Sequence, residues 1–189
     1  MKGTHGTTQD RVESIKKNGF QFPCSGESGR RKGSGVYFWD YETDDYRQDA
    51  IELARVFWAN LGRIRGKESQ PGNGLAVADV TFDENMVFVD ALVKENLEVL
   101  MVMLRENESK YQSAQGENID FEEWGGVYDN FIREIERVWQ KEVHALRISA
   151  QVPGKNVPVR FRMQPQTCLV VRAPSEVIKE LEFLDVSNL

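Results

Sequence analysis

The sequence predicts an α+β domain. Helical and strand periodicities alternate along its 189 residues with no internal repeat. Strand-like segments occupy both ends, and the middle is helical, so strands from the two ends must meet in one sheet. One domain of this length, residues 1–189, buries a sizeable core.

Each element has its own signal. MKGTH leaves room for a short first strand with His5 at its end. TTQDRVESIKKNGF then carries an Asp10/Glu13 capping pair, apolar Val12 and Ile15, and Gly19 as a stop, which predicts a helix of about three turns. After a glycine-laced basic loop, GVYFW is β-branched and aromatic and predicts a strand, followed by the acidic turn DYETDD. QDAIELARVFWANLGRIRG repeats Ile51, Ala54 and Leu61 at helical spacing and ends at Gly66. The loop GKESQPGNG leads to two strands, LAVADVTF and MVFVD.

ALVKENLEVLMVMLREN and FEEWGGVYDNFIREIERVWQKEV predict two helices, separated by the polar ESKYQSAQGENID; Gly125 and Gly126 weaken the first turn of the second. HALRISAQV, VPVRFRM and TCLVVRA predict three more strands, and PSEVIKELEFL a short helix opened by Pro174. Bringing the two ends together gathers His5, Tyr37 and residues 164–168 around one cleft.

Composition narrows the functional classes. Thirty acidic against 24 basic residues give a net charge of −6 and no global attraction to nucleic acid, although a local basic patch can still provide one. No apolar run reaches the roughly 20 residues of a spanning helix, and the start lacks the apolar core of a signal peptide. The expectation is a cytoplasmic protein without a membrane partner. Cys24 and Cys168 have no metal-ligand spacing, and the chain carries too few metal-binding side chains for a metal site.

The chemistry concentrates near the N-terminus. Gly6 has no side chain to block its own amide and carbonyl, so a flat amide-bearing ligand can pair with both. Gly33 and Gly35 allow a tight turn into the Val36–Trp39 strand, beside which Arg30, Arg31 and Lys32 supply charge suited to a diphosphate. Tyr37 points to the face opposite Val36 and Phe38 and presents a ring for stacking.

HGT followed by a helix and NGF, then GSGVYF after a glycine-rich loop, resembles the ADP-ribosyltransferases of the poly(ADP-ribose) polymerase-like branch, whose signature is a His, Tyr, Glu triad. The resemblance covers roughly the first 60 residues and, more loosely, the C-terminal strand; residues 90–140 have no counterpart and read as a helical insertion. It implies a split antiparallel sheet and NAD as substrate. His5 would hydrogen-bond the adenosine ribose, the Gly6 backbone would pair with the nicotinamide carboxamide, and Thr7 would steady the turn. Tyr37 would stack on nicotinamide, Arg30, Arg31 or Lys32 would meet the pyrophosphate, and Tyr41 or Tyr46 would supply a second aromatic.

At the third triad position the sequence departs from the family. Gln166 stands where a late-strand glutamate would stabilise the charge that develops as the glycosidic bond breaks. Nicotinamide leaves as a neutral molecule, so an amide keeps the hydrogen bond and loses only the charge. Three readings follow: the natural protein works with Gln166; the alignment is off and another residue such as Glu27, Glu142 or Glu176 serves; or Gln166 is an engineered isostere that disarms a toxic enzyme. All three favour transfer of a single ADP-ribose. The expected function is a mono-ADP-ribosyltransferase acting on a protein or nucleic-acid acceptor, with a bacterial toxin or anti-phage setting and an antitoxin partner by analogy. An NAD glycohydrolase and a non-catalytic NAD- or ADP-ribose-binding module are the alternatives.

Bland readings stand beside these. A lone histidine on a strand is ordinarily structural, a short basic run is ordinarily a solvated turn, and His144 reads as a satisfied sheet residue. Trp58, Trp124 and Trp139 read as packing residues, and Cys168 as buried in its strand.

Overall fold

The computed structural model describes residues 1–21, 33–64, 74–112, 121–152 and 157–186. In chain order the elements are β1 (Lys2–Thr8), α1 (Gln9–Asn18), β2 (Val36–Tyr41), a 3-10 turn (Asp44–Tyr46), α2 (Arg47–Ile64), β3 (Leu75–Phe82) and β4 (Phe88–Asp90). Then come α3 (Lys94–Gln112), α4 (Phe121–Trp139), β5 (Ala145–Ala150), α5 (Val159–Arg162), β6 (Gln166–Val171), α6 (Pro174–Val177) and β7 (Ile178–Asp185).

The strands form one seven-stranded sheet in the order β4-β5-β6-β2-β1-β3-β7. Every neighbouring pair is antiparallel except β4 with β5. As expected, N-terminal and C-terminal strands meet, through β2 against β6 and β3 against β7. The strands alternate two sets of side chains. Trp39, Tyr41, Val77, Leu146 and Val170 pack on one face with Ala50 and Ala54 of α2 and with Phe131 and Ile132 of α4. Val36, Phe38, Ala78, Val80 and Leu169 pack on the other with Phe20, and Ile15 of α1 closes over them.

Several elements differ from the sequence expectation, each for a physical reason. The first strand is longer than MKGTH, because β3 pairs with it through Thr8; His5 therefore lies mid-strand, not at its end. The Asp10/Glu13 pair does not cap α1: Thr8 holds the N-cap position without a side-chain cap bond, and Glu13 binds Lys16 at 2.9 Å. Gly19 does stop the helix, with φ +70° and its amide on the Ile15 carbonyl. VPVRFRM is not a strand; it turns into α5 after Pro158, burying Phe161 while Arg160 pairs with Asp49 and Glu52 of α2.

PSEVIKELEFL is helical only over Pro174–Val177. From Ile178 the chain pairs with β3, whose edge would otherwise leave its amides and carbonyls without a ladder. The α4 helix runs straight through Gly125 and Gly126, because burial of Val127, Phe131 and Ile132 outweighs a propensity cost of about 1 kcal/mol per glycine.

Candidate functional site

The sheet opens between β1 and β2. The two strands pair only at Lys2–Tyr41, Gly3–Asp40 and Thr4–Trp39, whereas β1 pairs with β3 along its whole length. Main-chain direction follows from the flanking bonds: Gln9 donates to the Gly74 carbonyl and Phe82 donates to that of Met1, so odd-numbered residues of β1 face β3. Gly6 and Thr8 therefore turn their amides and carbonyls toward β2, beyond the last β1–β2 pair. The Gly6 peptide groups thus face β2 without a ladder partner there, and Gly6 itself is buried.

His5 crosses this opening. Its Nδ1 lies 2.8 Å from the Tyr37 carbonyl, the group that would accept the Gly6 amide if the ladder continued. A carbonyl only accepts, so Nδ1 carries the proton, and in the neutral ring Nε2 is left as an acceptor. The ring is half-buried, edge-on to Phe20 at 5.4 Å and tilted against Phe38 at 5.6 Å. Burial pushes its pKa down; the bond to Tyr37 opposes that and the nearby Arg11 guanidinium adds to it. A neutral imidazole with a free Nε2 suits a hydroxyl donor such as a ribose.

Gly6 also has a packing explanation. A Cβ there would lie 2.3 Å from the Ala54 carbonyl oxygen and 2.9 Å from Cβ of Trp58, so α2 crosses too closely for any side chain. The Arg11 guanidinium lies over the Trp58 ring at 5.5 Å, which puts a cation near the same opening.

Tyr37 faces α2 and α4, the face opposite His5. Its hydroxyl donates to the Gly33 carbonyl at 2.8 Å. The next residue, Ser34, is gripped from α4: its amide donates to Asp129 Oδ1 and its hydroxyl to Asp129 Oδ2, both at 2.7 Å. Gly33 has φ +98°, and a Cβ on it would meet Asp129 Oδ1 at 3.2 Å. The turn into β2 thus needs its glycine, as expected. Sequence reading missed Asp129, which lies 95 residues from Ser34 with no motif around it.

The remaining expected residues fall as follows. Thr7 is buried within β1, where there is no turn for it to steady. Gly35 is explained by packing, since a Cβ would lie 2.6 Å from Cγ1 of Val170. Arg30, Arg31, Lys32, Cys24 and Glu27 lie outside the described residues. Gln166 opens β6 opposite Ala150, and its side-chain amide donates to the Gln164 carbonyl at 2.9 Å. Tyr37 faces Val170 across β2 and β6, so Gln166 sits four residues, about 13 Å of strand, from the level of Tyr37.

Tyr41 is buried, donating to Asp79 at 2.7 Å, and Tyr46 is 63% exposed in the 3-10 turn; both lie toward the closed end of the β1–β2 pair. Glu142 lines a groove of about 400 Å³ with Glu136 and Arg172, and Glu176 is exposed on α6. A second groove, about 550 Å³, lies beside Lys2, Arg47 and Asp79. Neither groove includes His5, Gly6 or Tyr37.

His144 is satisfied, its Nδ1 accepting from the Val87 amide at 3.1 Å. Cys168 is buried in β6, whereas Trp139 is 42% exposed and belongs to no core. Among the described residues no group of His, Cys, Asp and Glu is arranged to hold a metal, and no helix is long and apolar enough to cross a membrane. Comparison with protein-family profiles, curated proteins and solved structures returned no match.

Proposed function

We propose that the chain binds NAD at the β1–β2 opening and transfers a single ADP-ribose to a macromolecular acceptor, protein or nucleic acid. The observation that carries this reading is the Gly6 main chain, whose amide and carbonyl lie beyond the last β1–β2 pair, where His5 takes the Tyr37 carbonyl. A carboxamide is the complementary ligand, since it presents one donor and one acceptor in a plane, as a neighbouring strand does. His5 Nε2 accepts a ribose hydroxyl on one face of the sheet, and the Tyr37 ring provides an aromatic wall on the other. Once NAD is held, breaking the bond to neutral nicotinamide needs positioning and charge stabilisation rather than a general acid.

A second reading draws support from Gln166. It is neutral and displaced along the strand from Tyr37, so a site that grips NAD without cleaving it is the natural competitor. One experiment separates them: incubate the protein with NAD labelled in the adenylate phosphate and a cell extract, alongside His5→Ala. Macromolecular label that disappears in His5→Ala supports transfer. Free ADP-ribose selects hydrolysis, bound but uncleaved NAD selects a binding module, and no binding removes the site.

A further inference from the structure

We infer that Asp129, on the helical insertion, is a positioning residue for Tyr37 and acts on it through the Gly33–Ser34 peptide. The inference rests on the reading of Tyr37 as the aromatic wall of the nucleotide site. The Gly33 carbonyl and the Ser34 amide belong to one planar unit. Its N–H donates to Asp129 Oδ1 at 2.7 Å, and its C=O accepts the Tyr37 hydroxyl at 2.8 Å. A carboxylate on the N–H side draws electron density toward the carbonyl oxygen, so the bond from Tyr37 strengthens with the charge on Asp129.

One further contact restrains that peptide. The Ser34 hydroxyl holds Asp129 Oδ2 at 2.7 Å, which makes the grip bidentate. The carbonyl that receives Tyr37 therefore has one orientation, and the tyrosine hydroxyl is fixed at the far end of a ring whose near end is fixed by β2. On this account α4, which has no counterpart in the family the sequence resembles, sets the ring that faces the ligand.

A clamp that merely tied α4 to the sheet would have the same distances, so the test must read the Tyr37 hydroxyl itself. In ligand-free protein, the tyrosine ultraviolet Raman doublet of wild type minus that of Tyr37→Phe isolates Tyr37 as a hydrogen-bond donor. Asp129→Asn should shift this difference band toward a weaker donor, and Ser34→Ala, which keeps the amide bond, should shift it less. By calorimetry, Asp129→Asn should weaken NAD binding about five- to tenfold, with no further loss in the Tyr37→Phe background. An unmoved tyrosine band, or an equal loss in both backgrounds, would overturn the role of Asp129. A wild type that takes up no NAD would instead overturn the reading of the site, and the band alone would then decide on Asp129.

Discussion

The imidazole of His5 occupies the Tyr37 carbonyl at 2.8 Å, in place of the Gly6 amide that a continuous ladder would put there. Because burial lowers the His5 pKa, the folded protein resists a proton that the unfolded chain accepts. Above the ordinary histidine pKa of about 6.5 both states are neutral and the contribution is complete. As pH falls from there the unfolded state gains protons first, so stability declines until the folded-state pKa is passed. Thermal midpoints between pH 8 and 5 should therefore fall more steeply for wild type than for His5→Asn, and parallel curves would refute the assignment. NAD binding should hold through that range and weaken only below it, as pH passes the lowered folded-state pKa, since protonated Nε2 donates and no longer accepts.

Gly6 and Gly126 make a contrasting pair. A Cβ on Gly6 runs into the Ala54 carbonyl at 2.3 Å, and one on Gly126 meets nothing within 4 Å. Gly6→Ala should lose roughly 2 kcal/mol or more, because backbone rather than a flexible side chain must move. Gly126→Ala, inside α4, should gain roughly 0.5–1 kcal/mol. Urea denaturation reads both, and a neutral Gly6→Ala would mean that α2 yields at no cost.

The two tyrosines separate the aromatic assignments. Tyr37 stands at the opening, whereas Tyr46 lies beyond the closed end of the β1–β2 pair and is 63% exposed. Tyr37→Ala should lower NAD affinity at least tenfold in a calorimetric titration, since a stacked ring contributes on the order of 1.4 kcal/mol. Tyr46→Ala should leave it unchanged. The reverse order would move the site to the closed end, toward the groove beside Arg47.

The sequence made local features legible and left long-range pairings hidden. Gly19 and Gly33 could be read because positive φ is written in a single residue. The helical stretch of α2 was legible by its period, and the meeting of the two chain ends followed from where strands fell. PSEVIKELEFL misled because helix and edge strand share its composition; the deciding factor is the unpaired flank of β3, which no local window contains. VPVRFRM alternates like a strand, but Arg160 finds Asp49 and Glu52 more than a hundred residues away and the segment turns. The position of Gln166 was illegible for the same reason: composition places it on a late strand, and only the β2–β6 register places it away from Tyr37.

Arg147 on β5 joins three elements on the face of Phe38. Its Nε lies 2.8 Å from Asp40 Oδ2, while its two terminal nitrogens reach Glu42 at 3.1 Å and Asp90 at 3.4 Å. The Asp40 side chain is 1% exposed, and neither of its oxygens has a hydrogen-bond partner, so the charge of Arg147 is what offsets its burial. Removing one member of a buried pair leaves an uncompensated charge, a loss of about 3–5 kcal/mol. Arg147→Met, which keeps the apolar stem, should therefore destabilise by that amount in urea. Adding Asp40→Asn should recover much of it, because the amide carries no charge to desolvate. A loss under about 1 kcal/mol in Arg147→Met would match an exposed ion pair, and the buried-charge account of Asp40 would then fail.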